Sequence, residues 1–229
     1  MPCYAEATPS EGKLGECITT GKRRSMTDEP ARRIDTPTED PIVMEIVDRL
    51  KHELDASLRY HRPAHTEDVI QQTMALAKLD ALDGHSMLLL AVAAAFHDAG
   101  FLVTRSGHES ISADMATAAM AEDKRFSQKD IEIVANMIMD TQVYQIGAVH
   151  RPNTPLSAWL LDADLANFGR DDFFEQFHLV ALENNIEPDR LVSTTIDLMD
   201  RHTWQSPAGS ACFESKKRKN REALTQASF

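Results

Sequence analysis

From Val43 to Leu58, the apolar residues Val43, Ile46, Val47, Leu50, Leu54 and Leu58 recur mostly at spacings of three and four. That spacing predicts an amphipathic helix beginning near Pro41. Pro63 ends it before Tyr60-His61-Arg62, because a proline forces the preceding residue out of helix and is itself well suited to open the next one. The second helix carries His65, then Val69, Ile70, Thr73, Met74 and Leu76, and runs to about Asp80. After an Asp83-Gly84 turn, Ser86 to His97 is apolar nearly all round, which predicts a central, buried helix with Gly100 as its C-cap. Ser112, Met115, Ala116, Ala119 and Met120 outline a fourth helix, and Ser127 with Asp130 forms a capping-box pattern ahead of Ile131, Val134 and Ile138. Val143 to Pro155 reads as a long loop. Further helices are expected over about Pro155 to Asn167 (ended by Gly169), Asp171 to Asn184, Pro188 to Thr203 and Ser210 to Leu224. No alternating strand and no internal repeat stands out. The expected fold is all-α, a single-domain helical bundle over residues 41–229 around a buried central helix. Residues 1–40 mix Gly, Pro, Ser, Thr and charge without a period and read as a flexible leader.

Composition narrows the functional classes. The 229 residues are 42% hydrophobic and 26% charged, as in ordinary globular proteins. A formal net charge of -12 argues against general nucleic-acid binding, which demands a basic surface. Lys216-Lys217-Arg218-Lys219 with Arg221, and Lys22-Arg23-Arg24 near the start, are read as solvated basic stretches. Cys3, Cys17 and Cys212 have no C-x-x-C spacing and fit a reducing compartment. The longest apolar run, Ser86 to Phe96, is about half of the ~20 residues a membrane span needs. Polar and acidic residues stand where a signal peptide would be apolar, so a cytoplasmic protein is expected.

Where the apolar run Met87–Phe96 ends, His97 and Asp98 follow at once. Placing an imidazole and a carboxylate there is unfavourable unless they are paired or bound to an ion. Adjacent helical residues point about 100° apart, so these two can converge on one ion only where the helix is ending. His65 opens another helix, and Asp162 and Asp164 lie within the otherwise apolar Leu160 to Leu165. Imidazole with carboxylate is the donor set for Zn, Fe, Mn, Co or Ni, and less so for Mg. Singly, each has a plainer reading: His65 as a helix-start residue, Asp98 as a turn former, Asp162 as part of an exposed face. Together, H…HD…D over separate helices is a metal-site pattern.

Four ordered blocks carry a further likeness. They are Tyr60-His61-Arg62-Pro63-Ala64-His65-Thr66-Glu67-Asp68-Val69, His97-Asp98-Ala99-Gly100-Phe101, His108-Glu109-Ser110-Ile111-Ser112-Ala113, and Asp162-Ala163-Asp164-Leu165-Ala166-Asn167-Phe168-Gly169-Arg170. With the tail from His202-Thr203-Trp204 to Leu224, the chain from about residue 43 to 224 resembles the HD superfamily of metal-dependent phosphohydrolases, small bacterial-type members above all.

The resemblance implies that His65, His97, Asp98 and Asp164 ligate one divalent metal ion, with Asp162 and His61 supporting them and Glu109 beside His108. It implies a metal-activated water attacking a phosphate ester or anhydride, Asp98 orienting or deprotonating it, and His108 or a water protonating the leaving oxygen. Arg170, and after it Arg62, are the candidates for meeting the phosphate. The implied partner is a small phosphorylated substrate, a nucleotide or similar metabolite; a homodimer stays open. In relatives with two metals, a histidine near His108 binds the second ion, but those relatives place another histidine near Thr141, which cannot do that job. His150 in the following loop is a weak substitute. One ion is therefore expected. A di-iron oxygenase and a catalytically silent regulatory module are the alternatives.

Overall fold

The computed structural model describes residues 36–227. The expected leader falls outside the described residues for 1–35, as do its basic cluster and Cys3 and Cys17. The described residues open, slightly before the expected start near Pro41, on a short 3-10 turn, Pro37–Glu39. Asp40 then accepts from Ile42 N as the N-cap of α1, Pro41–Glu53, and is fully buried. Arg125 donates to both Asp40 oxygens, at 2.7 and 3.3 Å, so the cap also ties α1 to the turn before α5. A buried carboxylate is tolerated here because its charge is paired and hydrogen-bonded.

All described regular structure is helical, as expected. After α1 come α2 (Pro63–Leu79), α3 (Gly84–Phe96), α4 (His108–Ala121), α5 (Gln128–Asp140), α6 (Ser157–Asp164), α7 (Phe173–Glu183), α8 (Pro188–Arg201) and α9 (Pro207–Gln226). The local signals explain most starts. Asp83 caps α3 by accepting from His85 N and Ser86 N, and Ser127 and Asp130 form the expected reciprocal capping box on α5. Asp130 also takes His85 Nε2 at 2.8 Å, which pins the starts of α3 and α5 together.

Every α3 residue from Leu89 to Phe96 is buried, and α1, α2, α4, α5 and α6 pack against it. The helical segment Gly84–Leu102, α3 plus a 3-10 turn, is long and apolar enough to cross a membrane by length and composition. It is longer than the apolar run suggests, but 67% of it is buried by the protein's own helices. A second, smaller apolar cluster of Phe168, Phe173, Phe177 and Met199 joins α7 and α8 to the end of α6.

Two expectations change in detail. Gly100 is not a left-handed C-cap; it sits in the 3-10 turn Ala99–Leu102, and a Cβ there would meet the His108 carbonyl oxygen at 2.1 Å. Its missing side chain lets the start of α4 press against the end of α3. Lys217 is not solvated. It is 7% exposed and donates to the His202 carbonyl at 2.6 Å, so only part of the basic stretch on α9 forms an outer face.

Candidate metal centre

The site forms where α3 stops. His97 retains helical angles (φ -51, ψ -38), whereas Asp98 leaves the helix at φ -107, ψ 6. That change turns the Asp98 side chain back toward its neighbour, and His97 Nε2 lies 3.1 Å from Asp98 Oδ2. His65, in the first turn of α2, brings its Nε2 within 3.4 Å of His97 Nε2 and 3.6 Å of Asp98 Oδ2. Asp164, the last residue of α6, places Oδ1 at 3.2 Å from His65 Nε2 and 3.7 Å from His97 Nε2. The four residues expected as ligands thus meet from three helices.

These residues fit a metal ion on two observations. Asp98 Oδ2 is buried with no hydrogen-bond partner. His97 Nδ1 lies 2.8 Å from the Ala94 carbonyl, which can only accept, so Nδ1 carries a hydrogen and Nε2 is left to face the cluster. Donors each about 2.0–2.2 Å from a shared ion stand roughly 3–3.5 Å apart, close to the 3.1–3.7 Å separations here. His65, His97 and Asp98 form a buried group able to hold a metal ion, and no other such group of three occurs among the described residues.

Charge at the site follows from the same contacts. Burial alone would lower the His97 pKa, but the Asp98 and Asp164 carboxylates carry it up to about 9 in the metal-free protein. Burial opposes ionisation of Asp98, yet His97, His108 and His61 hold its carboxyl well below the usual range; Asp164 is lowered against burial by His65 and His97. Tyr60, whose ring lies 4.7 Å from that of His65, is pushed up by burial and by both carboxylates.

His108 occupies the other face of Asp98, its Nε2 3.3 Å from Oδ1. The two Asp98 oxygens therefore divide their work, Oδ2 to the ligand group and Oδ1 to His108. His108 Nδ1 faces the Arg105 carbonyl at 3.4 Å and Glu109 Oε2 at 3.6 Å. Phe101 stacks on both His108 and His61, with ring centroids 4.0 and 4.4 Å away, and the two histidine rings are 6.3 Å apart. His61 is raised by the Asp98 and Glu183 carboxylates despite its burial.

Glu183, at the end of α7, is the residue that sequence reasoning missed. It accepts from Tyr60 N at 2.8 Å, His61 N at 3.0 Å and His61 Nδ1 at 2.5 Å. These bonds bring its carboxyl down to about 2 against burial, and they fix the segment before α2. The one local clue is an acidic residue directly after Val180-Ala181-Leu182.

Two expected site residues go elsewhere. Asp162 stands two positions before Asp164, about 200° around the helix, so it points away from the ligand group. Its oxygens accept from Gln205 N, Ser206 N and Ser206 Oγ, and Gly209 packs so closely that a Cβ would lie 2.1 Å from Asp162 Oδ2. Asp162 anchors the start of α9. Arg170 is bound to both Asp68 oxygens and to Asp172, so its charge is already spent. Arg62 is exposed. Thr141 is buried, donating its hydroxyl to the Ile138 carbonyl at 2.7 Å.

No family model, curated protein or solved structure matches this chain.

Proposed function

We propose that this protein is a hydrolase of the HD type, cleaving a phosphate ester or anhydride of a small phosphorylated metabolite such as a nucleotide, with one divalent ion held by His65, His97, Asp98 and Asp164. The observation that carries the reading is the approach of Asp98 Oδ2, buried with no hydrogen-bond partner, to within 3.1 Å of His97 Nε2, the ring being oriented by the Ala94 carbonyl at Nδ1. One ion rather than two is kept from the resemblance, in which Thr141 stands where two-metal relatives carry a further histidine. Its identity lies among Mn, Fe, Co, Ni, Zn and Mg, with the two imidazoles favouring a transition metal.

When bound, such an ion lowers the pKa of a water and polarises a phosphoryl oxygen. The residues supply the rest. Asp98 Oδ1, turned away from the ligand group, accepts a proton from the attacking water, and His108, 3.3 Å from that oxygen, is placed to deliver a proton to the leaving oxygen. Phe101 stacks on the His108 ring, His61 stacks on Phe101, and Glu183 holds His61. Overall, water's oxygen bonds to phosphorus, the ester P–O bond breaks, and the departing alcohol or phosphate leaves with one proton. A cytoplasmic location goes with this reading.

The test is phosphate release from a panel of phosphate esters and nucleotides after loading with Mn, Co, Ni, Zn or Mg. Release should require metal, and His108→Ala should lower kcat by about a hundredfold or more while metal content stays near wild type. Release that persists in metal-free protein would overturn the reading.

A further inference from the structure

A cavity of about 220 Å³ opens beside the candidate centre, with Asp164 and His61 at its edge. Its body is apolar: Phe173, Phe177 and Val180 come from α7, Leu191 and Leu198 from α8, and Leu165 from the end of α6. Among the described residues, no lysine or arginine lines it. The nearby guanidinium of Arg170 is consumed by Asp68 and Asp172. Asn167 also lines the cavity, and its Oδ1 is buried with no hydrogen-bond partner.

We infer that this cavity receives an uncharged, largely apolar group of the substrate, joined to the single anionic head that meets the metal centre. The inference rests on the proposed phosphohydrolase reading and narrows it, from phosphorylated metabolites at large to monoesters with an apolar or aromatic tail. Size agrees, because an apolar cavity of about 150 Å³ admits benzene, so this one takes a six-membered ring or a chain of similar length. Charge agrees too. A run of phosphates entering beside Asp164 would meet a carboxylate and, among the described lining residues, no lysine or arginine, whereas one phosphoryl group has the ion to itself. Asn167 Oδ1 gives the tail one polar feature to satisfy, a hydroxyl or N–H donor along its length. The cavity wall is built by α7 and α8 packing on Phe168 and Phe173, and Glu183 of that same α7 fixes His61. Tail binding and the histidine beside the centre therefore share one helix.

The experiment uses the full chain loaded with Mn and two linear series, alcohols and their phosphate monoesters, from ethyl to hexyl, in which leaving-group chemistry is constant. Alcohol binding, read by calorimetry and ligand-observed NMR, should tighten about threefold to fourfold per methylene, and kcat/KM for the esters should rise by a similar factor. Val180→Phe, or Leu191→Phe should that variant misfold, fills the cavity and should collapse both trends toward a ratio of one. Length-dependent alcohol binding that the filling variants abolish, with no phosphate released from any ester, would uphold the tail site and overturn the hydrolase reading. Phosphate release at equal kcat/KM along the series with no hexanol binding, or a nucleoside triphosphate preferred over hexyl phosphate, would overturn the tail site and leave the hydrolase reading standing.

Discussion

His97 and His202 are both nearly sealed from solvent, at 1% and 3% exposure, yet the protein sets their charges in opposite directions. His97 ends α3 beside two carboxylates and is raised to about 9. His202 follows α8, wedged edge-on between Phe168 and Trp204, with both ring nitrogens lacking a partner, and burial lowers it to about 3, assisted by Lys217 and His150. Burial acts on both imidazoles alike, disfavouring the charged form. What separates them is the company of carboxylate oxygens at 3.1 and 3.7 Å. A buried histidine by itself marks nothing; one whose burial is overridden by converging acids marks a place built for positive charge. In the proposed account that charge is a metal ion.

The contrast breaks most completely with His97→Ala or Asp164→Ala. Either should lower metal affinity by about a hundredfold or more and abolish metal-dependent activity, while far-UV circular dichroism keeps most of the helical signal. His202→Phe should leave metal content unchanged, because that ring touches none of the ligands.

Proton linkage sharpens the same contrast. The metal-free His97 is protonated at neutral pH, so an entering ion must displace that proton. Apparent metal affinity should therefore rise with pH, nearly tenfold per unit between about 7 and 9, and flatten above the His97 pKa of about 9. Titration calorimetry in buffers of different ionisation enthalpy reads the proton released.

Stability should run with opposite signs in the two regions of metal-free protein. His97 is raised above its unfolded value, so its contribution is full below about 6.5 and lost as pH climbs through about 9. His202 is lowered, so the unfolded chain binds the extra proton, and stability falls as pH drops below about 6.5 toward 3. From pH 7 to 5 the His202 part is worth about 2 kcal/mol, and His202→Phe should remove that portion of the acid slope in urea unfolding curves.

The smallest expected effect concerns support for the site. Glu183→Gln replaces an acceptor of three hydrogen bonds by a group that can also donate. A loss of about 1–3 kcal/mol in stability is expected with near-normal metal content, measured by urea unfolding and metal analysis.

The clustering of the candidate site was largely legible in the sequence, because His97-Asp98 interrupts an apolar run and Asp164 lies inside another. Helix periods and caps announced α1 to α5 for the same local reasons: Asp83, Ser127 and the prolines act on their own neighbours. The misread residues are those whose partners lie far along the chain. Asp162 looks equivalent to Asp164 until helix geometry turns it toward Ser206, 44 positions on. Arg170 looks free until Asp68, 102 positions earlier, is packed beside it. Glu183 reaches His61 across 122 positions, and no local pattern signals that pairing. Gly100 was legible as a special position but not for its reason, since only the folded chain brings the His108 carbonyl against it.

The most direct test of the central claim is metal stoichiometry of the purified full-length protein by inductively coupled plasma mass spectrometry, alongside His65→Ala and Asp98→Ala. The account requires one divalent transition-metal ion per wild-type chain and none in either variant. A wild-type chain that takes up no ion under saturating Mn, Co, Ni or Zn, or variants that keep theirs, would contradict it.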